Sequence, residues 1–491
     1  MNNTETRYSV HFETLGCRLN QDESEGAARS FSLNGFHADL EPVTAKTAVS
    51  ENTVLAVINT CTVTGKAEQK ARRLIRLMLE KYPSAPVIVT GCYAELDAAE
   101  ISAICPERIV VLAGTKKSQL AAIASKMKTS GSMTAGELKD FIASKPSFIT
   151  APEQTPLKIS ALNPFSLYTP VFEKHSRASI KIQDGCNCAC TFCRIHLARG
   201  KSVSLAVEDV VKRVQELERL GNHEVVCTGV NLSQYSAIGS DGATYSFAKL
   251  LALLLKETDH ISFRVSSFYP QSVSDELCEV LADSRVQPFF HLSIQSGSER
   301  ILSLMKRPHS VEHVVQSIQK IRSVKENPFI SCDIIAGFPS ETEEDFALTQ
   351  KLCLEQQFAW IHAFPYSPRP DTPAKDMRPQ IPERIKGERV KWLTDIAVKG
   401  KVDYIKYWTG RTLSAVVENS RSLRIHGLSH EPQKAIHCVT ENFLHVECPA
   451  AFNAEPLNNV VPGSLVKVNI TDVLSDSIAA GKELDCRGII V

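Results

Sequence analysis

Two hydrophobic patterns alternate along residues 8–115. Short apolar runs indicate buried strands, and segments with apolar residues every three or four positions indicate helices. The strand segments are 9–14, 54–59 and 86–90, and the helical segments are 23–34, 66–81 and a short one from Glu95. This alternation predicts an open α/β domain with a mostly parallel sheet. In such sheets ligands bind at the carboxyl ends of the strands.

The same alternation returns between 178 and 367 with more units. The predicted strands are 178–183, 224–229, 261–267, 289–294, 329–337 and 360–367. Amphipathic helices are predicted between them, at 207–220, 247–256, 275–283 and 311–324. Six such β/α units fit an incomplete (β/α)6 barrel, whose active site is expected at the carboxyl ends of the strands.

A third pattern begins after a basic, helical stretch at 382–406. Short strand-like segments follow at 411–418, 435–439, 443–446 and 464–472, which predicts a small β-barrel of about five strands. The fold class is therefore a multidomain α/β chain. The predicted domains are 1–125, a connector at 126–175 that contains prolines, the partial barrel with its trailing helices at 176–409, and the β-barrel at 410–491.

Composition and charge narrow the functional classes. The chain has 43% hydrophobic and 22% charged residues and a net charge of zero, whereas a general nucleic-acid binder is expected to be basic. Any RNA contacts must therefore come from local patches. Neither a secretory signal nor an apolar run long enough to cross a membrane is visible. Fifteen cysteines without a signal peptide then favour a reducing cytoplasm, where cysteines are core residues or ligands.

Three cysteines share one short segment. Cys186, Cys190 and Cys193 form a C-x3-C-x2-C spacing, which suits a loop folded around an iron-sulfur cluster. Four irons with three thiolate ligands leave one iron open, where a substrate or cofactor can bind. The alternatives are a structural zinc loop that uses Cys188 as a fourth ligand, or buried core cysteines. Zinc loops usually draw their ligands as two separated pairs, so the cluster is favoured.

Three other cysteines each follow a predicted strand of the first domain. Cys17, Cys61 and Cys92 stand beside glycine or threonine just past the strand ends, and they should converge on one edge of the sheet. One such cysteine is more simply a small buried hydrophobe. Three with the same placement predict a second three-cysteine cluster site.

With these pieces placed, the chain resembles the radical S-adenosylmethionine (SAM) methylthiotransferases along nearly its whole length. The first domain looks like the N-terminal domain of that family, 178–367 like its radical SAM barrel and 410–475 like its RNA-binding TRAM barrel. Within the family the closest likeness is to the MtaB branch, which acts on threonylcarbamoyladenosine at position 37 of tRNA. The segments that carry the resemblance are Thr14-Leu-Gly-Cys-Arg-Leu-Asn-Gln, Asn59-Thr-Cys-Thr-Val-Thr-Gly-Lys-Ala-Glu, Thr228-Gly-Val-Asn-Leu, His291-Leu-Ser-Ile-Gln-Ser-Gly, Asp333-Ile-Ile-Ala-Gly-Phe-Pro and Phe364-Pro-Tyr-Ser-Pro-Arg.

The chain also departs from the family pattern around the expected SAM and substrate face. Cys188 stands where a noncysteine residue is usual, and Arg194-Ile-His-Leu replaces the more usual Ile-Ile-Pro-Tyr. Phe268-Tyr269 stands where Ile-Glu is common, and Asp371 replaces a glycine. In an extended loop Cys188 points away from its neighbours, so we interpret it as a bystander thiol, with a role as a spare ligand as the alternative.

The resemblance implies specific cofactors and roles. Two 4Fe-4S clusters are implied, one at Cys186, Cys190 and Cys193 that binds SAM, and one at Cys17, Cys61 and Cys92 that carries the sulfur. Candidate SAM contacts are Phe192, Thr228, Gly229, Ser266 and Gln295. The expected partners are the tRNA anticodon stem-loop and an electron donor such as flavodoxin or ferredoxin, with no membrane and a monomeric chain. Isopentenyladenosine in tRNA and a ribosomal-protein aspartate are the alternative substrates, and a non-catalytic iron-sulfur RNA-binding protein is the alternative of another class.

One predicted helix carries a candidate RNA-binding face. Lys66, Lys70 and Arg73 fall on one side of the 66–81 helix, directly after the Cys61 loop, where they could hold phosphates. The alternative is an ordinary solvated helix face. The C-terminal segment gives little support, since from Arg411 onward it has seven basic against nine acidic residues.

Overall fold

The computed structural model describes residues 8–144, 163–172, 177–418, 435–449, 451–452, 455–456 and 460–491. Parts of the predicted connector, at 145–162 and 173–175, lie outside the described residues, as does residue 176.

The first domain is a five-stranded parallel sheet covered by helices. The strands are β1 (Ser9–Thr14), β2 (His37–Asp39), β3 (Thr53–Thr60), β4 (Val87–Gly91) and β5 (Ile109–Val111). The helices are α1 (Arg18–Leu33), α2 (Gly65–Lys81), α3 (Cys92–Leu96), α4 (Ala98–Ser102), α5 (Gln119–Ser130) and α6 (Ala135–Ala143). The sheet order is β2-β1-β3-β4-β5, so the chain reverses direction across the sheet between β1 and β3. Such a switch point opens a crevice at the carboxyl ends of the strands.

The helices α5 and α6 belong to this first domain in the structure. Met127, Leu138 and Ile142 are buried in the core formed by one face of the sheet and α1. Residues up to 143 therefore pack with the first sheet, beyond the boundary at 125 that the sequence pattern suggests.

The central region is a partial barrel, as the pattern predicts. Its parallel strands run in the order β6 (Ala178–Lys181), β9 (Glu224–Thr228), β12 (Ser262–Val265), β13 (Phe289–Gln295), β14 (Phe329–Ala336) and β15 (Trp360–Pro365). Two small two-stranded sheets lie outside this strand order, one formed by β7 (Gln183–Asp184) and β8 (Val203–Ser204) and one by β10 (Ser236–Ile238) and β11 (Thr244–Ser246). The helices are α7 (Ile195–Arg199), α8 (Val207–Arg219), α9 (Phe247–Lys256), α10 (Asp275–Leu281), α11 (Glu299–Leu304), α12 (Val311–Val324), α13 (Glu343–Gln356), α14 (Pro373–Asp376) and α15 (Glu383–Trp408).

The C-terminal region closes into a five-stranded barrel. Its strands are ordered β16 (Thr412–Val417), β17 (Ala435–Thr440), β18 (His445–Pro449), β22 (Cys486–Ile490) and β21 (Leu465–Val473). A small hairpin, β19 (Ala451–Phe452) and β20 (Glu455–Pro456), and the helix α16 (Ser475–Ala479) complete it. The long α15 joins the C-terminal barrel to the partial barrel. Its residues Tyr404 and Trp408 share one apolar cluster with Phe329 of the partial barrel and with residues of the C-terminal barrel such as Leu413. None of the helices in the described residues is both long and apolar enough for a membrane crossing.

Three local features differ from the sequence pattern. The short helix expected from Glu95 begins instead at Cys92, because Gly91 adopts a left-handed conformation (φ 97°) that turns the chain directly into the helix. The helix expected from 23 begins at Arg18, directly after Cys17. The fifth strand of the C-terminal barrel, Cys486–Ile490, alternates buried and exposed residues but lacks a long apolar run.

Candidate functional site

Cys186, Cys190 and Cys193 lie on one loop between β7 and α7, at the carboxyl face of the partial barrel. Each sulfur lies within reach of an N–H donor. The Cys188 amide lies 3.4 Å from the Cys186 sulfur, the Arg307 guanidinium 3.3 Å from the Cys190 sulfur, and the Ile195 amide 3.4 Å from the Cys193 sulfur. Such donors stabilise thiolates, the form that ligates iron, and tune the potential of iron-sulfur clusters.

Cys188 lies beside Cys186 rather than pointing away, so the expectation from an extended loop is wrong. The Gln234 side chain donates to its sulfur at 3.2 Å. A hydrogen bond from the Cys188 thiol is the main cause that lowers the pKa of Cys186, to about 7. Cys188 thus supports the thiolate form of Cys186 in the metal-free loop.

Arg307 connects this loop to the barrel wall. Besides Cys190, it donates to the Tyr269 hydroxyl at 3.0 Å and to the Ser293 carbonyl at 2.6 Å, and its guanidinium lies over the Tyr269 ring. Burial opposes its charge, but its interactions with Tyr269 and Cys190 raise its pKa above the usual value. A permanent positive charge therefore lies next to the Cys190 sulfur.

The candidate SAM contacts on the strands lie at neighbouring strand ends. Thr228 ends β9, Ser266 follows β12 and Gln295 ends β13 with a left-handed backbone (φ 78°). The Thr228 and Ser266 hydroxyls are buried and have no hydrogen-bond partner within the described part of the chain. Buried unpaired hydroxyls are costly, so this edge of the barrel suits a polar ligand.

Gly229 and Phe192 have different surroundings. A β-carbon on Gly229 would lie 2.9 Å from the Gln183 side-chain oxygen, so close packing requires glycine there. The Phe192 ring stands edge-on to Phe338, with centroids 6.5 Å apart, on the side of the mouth beside β14. Phe192 therefore packs with the apolar cluster around Phe338.

The other three cysteines meet at the carboxyl edge of the first sheet, as predicted. Cys17 follows β1, Cys61 follows β3 and Cys92 follows β4. Two glycines permit this convergence. A β-carbon on Gly16 would lie 2.6 Å from the Cys61 β-carbon, and one on Gly91 would lie 2.3 Å from the Thr60 carbonyl oxygen.

Neither thiol set is arranged as a preformed zinc site. A tetrahedral zinc site with Zn–S distances of about 2.3 Å brings its sulfurs to about 3.8 Å from one another. Among the described residues, no three cysteine sulfurs lie within 4.8 Å of one another.

A buried ionic network connects the two sets on one side. Arg199, six residues after Cys193, donates to Asp184 at 2.9 Å, to Glu23 at 3.1 Å and to the Asn20 side-chain oxygen at 2.7 Å. Glu23 and Asn20 belong to α1, which begins directly after Cys17. Lys117 and Lys181 also pair with Glu23, and Lys181 pairs with Asp184, so three buried cations surround two carboxylates.

A second buried network connects the sets on the other side. Arg194, directly after Cys193, makes two hydrogen bonds to Asp97, at 2.9 and 3.3 Å. It also reaches Thr62 and Glu68 at 3.4 Å each, and Asp371 at 3.2 Å. Arg194 and Asp371, two of the departures from the family pattern, therefore contact each other. Asp371 has a left-handed backbone (φ 59°), the conformation that favours glycine.

The predicted basic face is exposed in the structure. Lys66, Lys70 and Arg73 lie on the solvent side of α2, which begins at the Thr64 cap three residues after Cys61. Within the described ranges, these three side chains form no ion pair. By contrast, exposed cations of α15 such as Lys391 and Lys399 pair with carboxylates four residues on.

Sequence reasoning missed Arg307, Asn231 and the bridging roles of Arg194 and Arg199. The Asn231 side-chain nitrogen lies 4.0 Å from the Cys186 sulfur. Arg307 lies 117 residues from Cys190 along the chain, so no local spacing connects them. The proximity of this buried arginine to the cysteine loop results from closure of the barrel, so it can be recognised only in the three-dimensional structure.

Both the first domain and the partial barrel match known protein families. Residues 180–353 match the radical SAM superfamily, and 9–113 match a family described as uncharacterized protein family UPF0004. A radical SAM methyltransferase, TsrM from Kitasatospora setae, has a TM-score of 0.50 at 14% identity, covering 75% of this chain and 77% of that one. The barrel and its three-cysteine loop therefore define a radical SAM enzyme.

The curated relatives define the family. The threonylcarbamoyladenosine tRNA methylthiotransferase MtaB of Treponema pallidum is 44% identical over 452 residues, covering 84% of this chain and 92% of that protein. The protein of the same name from Bacillus subtilis is 33% identical over 420 residues, covering 84% and 85%. The chain belongs to the MtaB family of radical SAM methylthiotransferases, and it is a transferase.

Proposed function

We propose that this enzyme adds a methylthio group to C2 of threonylcarbamoyladenosine at position 37 of tRNA, using two 4Fe-4S clusters and SAM. The observation that carries the proposal is the pair of three-cysteine sets on facing domains, joined by Arg194 on one side and Arg199 on the other. A second thiol set would be superfluous in an enzyme that only cleaves SAM. The names of the MtaB relatives support the substrate.

The barrel loop supplies the residues for the SAM-binding cluster. Cys186, Cys190 and Cys193 would hold it, with the N–H donors around them favouring thiolates. When bound, this cluster and SAM supply a 5′-deoxyadenosyl radical, which can remove a hydrogen that acid–base side chains cannot. The unpaired hydroxyls of Thr228 and Ser266 would receive polar groups of SAM.

The first domain supplies the residues for the second cluster, which would carry the sulfur. Cys17, Cys61 and Cys92 would hold it at the switch point of the sheet. Burial raises the pKa of Cys61 to about 11, so this thiol would lose its proton on binding iron. The two domains would together enclose the base between the thiol sets.

The exposed face of α2 would bind the tRNA. Lys66, Lys70 and Arg73 are unpaired by carboxylates of the described residues, so they are available to phosphates next to the Cys61 loop. The enzyme would work as a monomer in the cytoplasm, reduced by a donor such as flavodoxin or ferredoxin. The closed C-terminal barrel would be a TRAM-like RNA-binding module.

The cluster claim can be tested on anaerobically reconstituted protein. Two clusters predict about eight irons per chain. A variant with Cys17, Cys61 and Cys92 changed to alanine should hold about four and should still form 5′-deoxyadenosine from SAM and dithionite. About four irons in the unchanged protein would refute the second cluster. A protein that forms no 5′-deoxyadenosine would instead be a non-catalytic iron-sulfur protein, and a colourless protein containing zinc would refute both clusters.

The substrate claim needs tRNA that lacks the modification. Incubation with SAM and dithionite should convert threonylcarbamoyladenosine to its methylthio form, detected by mass spectrometry of the digested nucleosides. Conversion of isopentenyladenosine instead, or of a ribosomal-protein aspartate, would keep the chemistry and refute the substrate.

A further inference from the structure

Arg194 lies between the two thiol sets and contacts the first domain as well as the barrel. It follows Cys193 directly and caps the start of α7. Its side chain is only 1% exposed, although its partners belong to four separate parts of the chain. Those parts are the loop after Cys61, the helix α2, the end of the helix that begins at Cys92, and the segment after β15.

The geometry of its contacts fixes an orientation as well as a distance. Both terminal nitrogens of Arg194 bond to the two oxygens of Asp97, which is the two-point pairing that arginine and carboxylate form best. The same guanidinium reaches Thr62, whose neighbour is Cys61. One planar group thus contacts the elements that position Cys61, Cys92 and Cys193.

Glu68 and Arg369 extend the contact. Arg369 pairs with Glu68 and donates to Thr62 at 3.1 Å, and Thr62 donates to Glu68 at 2.5 Å. Arg369 comes from the segment after β15, at the same face of the barrel. The Cys61 loop is therefore held against the barrel by two buried arginines that share one carboxylate and one hydroxyl.

We infer that Arg194 is a positioning residue that sets the placement of the two cysteine sets relative to each other. This inference rests on the proposed function, since placement matters to the reaction only if both sets act on one substrate. Small displacements of reacting groups reduce rates strongly. Loss of Arg194 should therefore uncouple SAM cleavage, which needs only the barrel loop, from product formation, which needs both sets.

The first test uses metal-free protein and is independent of activity. Hydrogen exchange measured by mass spectrometry compares the unchanged chain with Arg194→Met, Arg194→Lys and Asp97→Asn. Amides at 62–66 and 92–97 should exchange at least about tenfold faster in Arg194→Met, because the opening that exposes them is easier. Arg194→Lys and Asp97→Asn should give smaller increases, because each loses only the two-point pairing.

Arg264→Met is the matched control. Arg264 is equally buried and pairs with Glu224 through two hydrogen bonds of 2.8 Å, but Glu224 is the first residue of β9 and lies at the amino end of that strand. The control variant should leave exchange at 62–66 and 92–97 unchanged. Equal exchange at these segments in the unchanged chain, Arg194→Met and Asp97→Asn would overturn the inference.

The second test measures coupling in the reconstituted enzyme. Arg194→Met should bind the same amount of iron and form 5′-deoxyadenosine, while the ratio of methylthiolated product to 5′-deoxyadenosine falls at least about tenfold. An unchanged ratio would overturn the inference. If the unchanged enzyme forms 5′-deoxyadenosine but no methylthiolated product, the proposed function fails, and the exchange experiment still decides the role of Arg194.

Discussion

Gly16 approaches Cys61 so closely that no other residue type fits. A β-carbon at Gly16 would lie 2.6 Å from the Cys61 β-carbon and 3.0 Å from its sulfur, and the backbone is left-handed (φ 106°). The loop that carries Cys17 and the loop that carries Cys61 are therefore packed against each other at the switch point of the sheet.

Gly16→Ala should displace Cys61 and remove the cluster of the first domain. We expect reconstituted protein to retain about four of about eight irons and to keep forming 5′-deoxyadenosine, because the barrel loop is untouched. Gly35→Ala is the control, since Gly35 has a similar conformation (φ 96°) but a β-carbon there would have no atom of the described residues within 4 Å beyond its chain neighbours. Both changes cost about 1 kcal/mol of backbone strain, but only the first should lose iron. Full iron content in Gly16→Ala would contradict the assignment.

Arg307→Met should make the SAM-binding cluster harder to reduce. The change removes a positive charge and an N–H donor 3.3 Å from the Cys190 sulfur, both of which favour the more negative reduced state. The reduced cluster should lose about 1.4 kcal/mol more stabilisation than the oxidised cluster. For one electron this corresponds to a midpoint potential that is lower by about 60 mV. A redox titration followed by electron paramagnetic resonance measures it.

Arg300→Met serves as the control for this titration. Arg300 pairs with Asp345 away from the cysteine loop, so its loss should not change the potential. A potential that is the same in Arg307→Met and the unchanged enzyme would show that Arg307 does not act on the cluster.

Changing Lys66, Lys70 and Arg73 together to glutamine should weaken tRNA binding in a salt-dependent way. Each lost phosphate contact lowers the slope of log affinity against log salt by about 0.7 to 0.9, so three contacts account for roughly 2 to 3. The control changes three exposed cations of α15 that already pair with carboxylates, namely Arg384, Lys391 and Lys399. Equal slopes for the two triple variants would exclude the α2 face from the RNA interface.

His309 should make the metal-free protein less stable in acid. Burial, followed by the nearby charge of Arg307, lowers the pKa of His309 to about 4, below its unfolded value of about 6.5. A group whose folded pKa is lowered contributes stability above its unfolded pKa, and that stability is lost as pH falls from about 6.5 to 4. The unfolded state alone takes up the proton in this range.

The His309 ring forms a hydrogen bond with the Ile294 carbonyl at 3.0 Å. In His309→Gln the amide can keep this bond, but it has no group that titrates. Between pH 7 and pH 4 the free energy of unfolding of the variant should therefore rise relative to the unchanged chain, by up to about 3 kcal/mol. Chemical unfolding of metal-free protein at several pH values measures this difference. Parallel curves would mean that His309 titrates normally in the folded chain.

The sequence predicts the parts of this site that depend on local pattern. The pattern predicts that Cys17, Cys61 and Cys92 lie together, because strands of a parallel sheet end at one edge, and the structure agrees. The C-x3-C-x2-C spacing identified the barrel loop in the same way. Both predictions need only the order of strands and helices along the chain.

Contacts between segments that are distant in the sequence cannot be predicted from local pattern. Arg194 and Asp371 are separated by 177 residues, and each was visible in the sequence only as an unusual residue. Their pairing depends on how the barrel and the first domain pack. The start of α3 at Cys92 also differs from the predicted start at Glu95, because Gly91 turns the chain directly into the helix. The second cluster, the SAM contacts and the RNA face remain predictions.

The most direct test of the account compares tRNA nucleosides from a strain with and without this gene. The proposed function predicts that the methylthio form of threonylcarbamoyladenosine disappears in the deletion strain, that the unmodified form accumulates, and that expression of the unchanged chain restores the product. Expression of a variant without Cys186, Cys190 and Cys193 should not restore it. An unchanged nucleoside profile in the deletion strain would contradict the account.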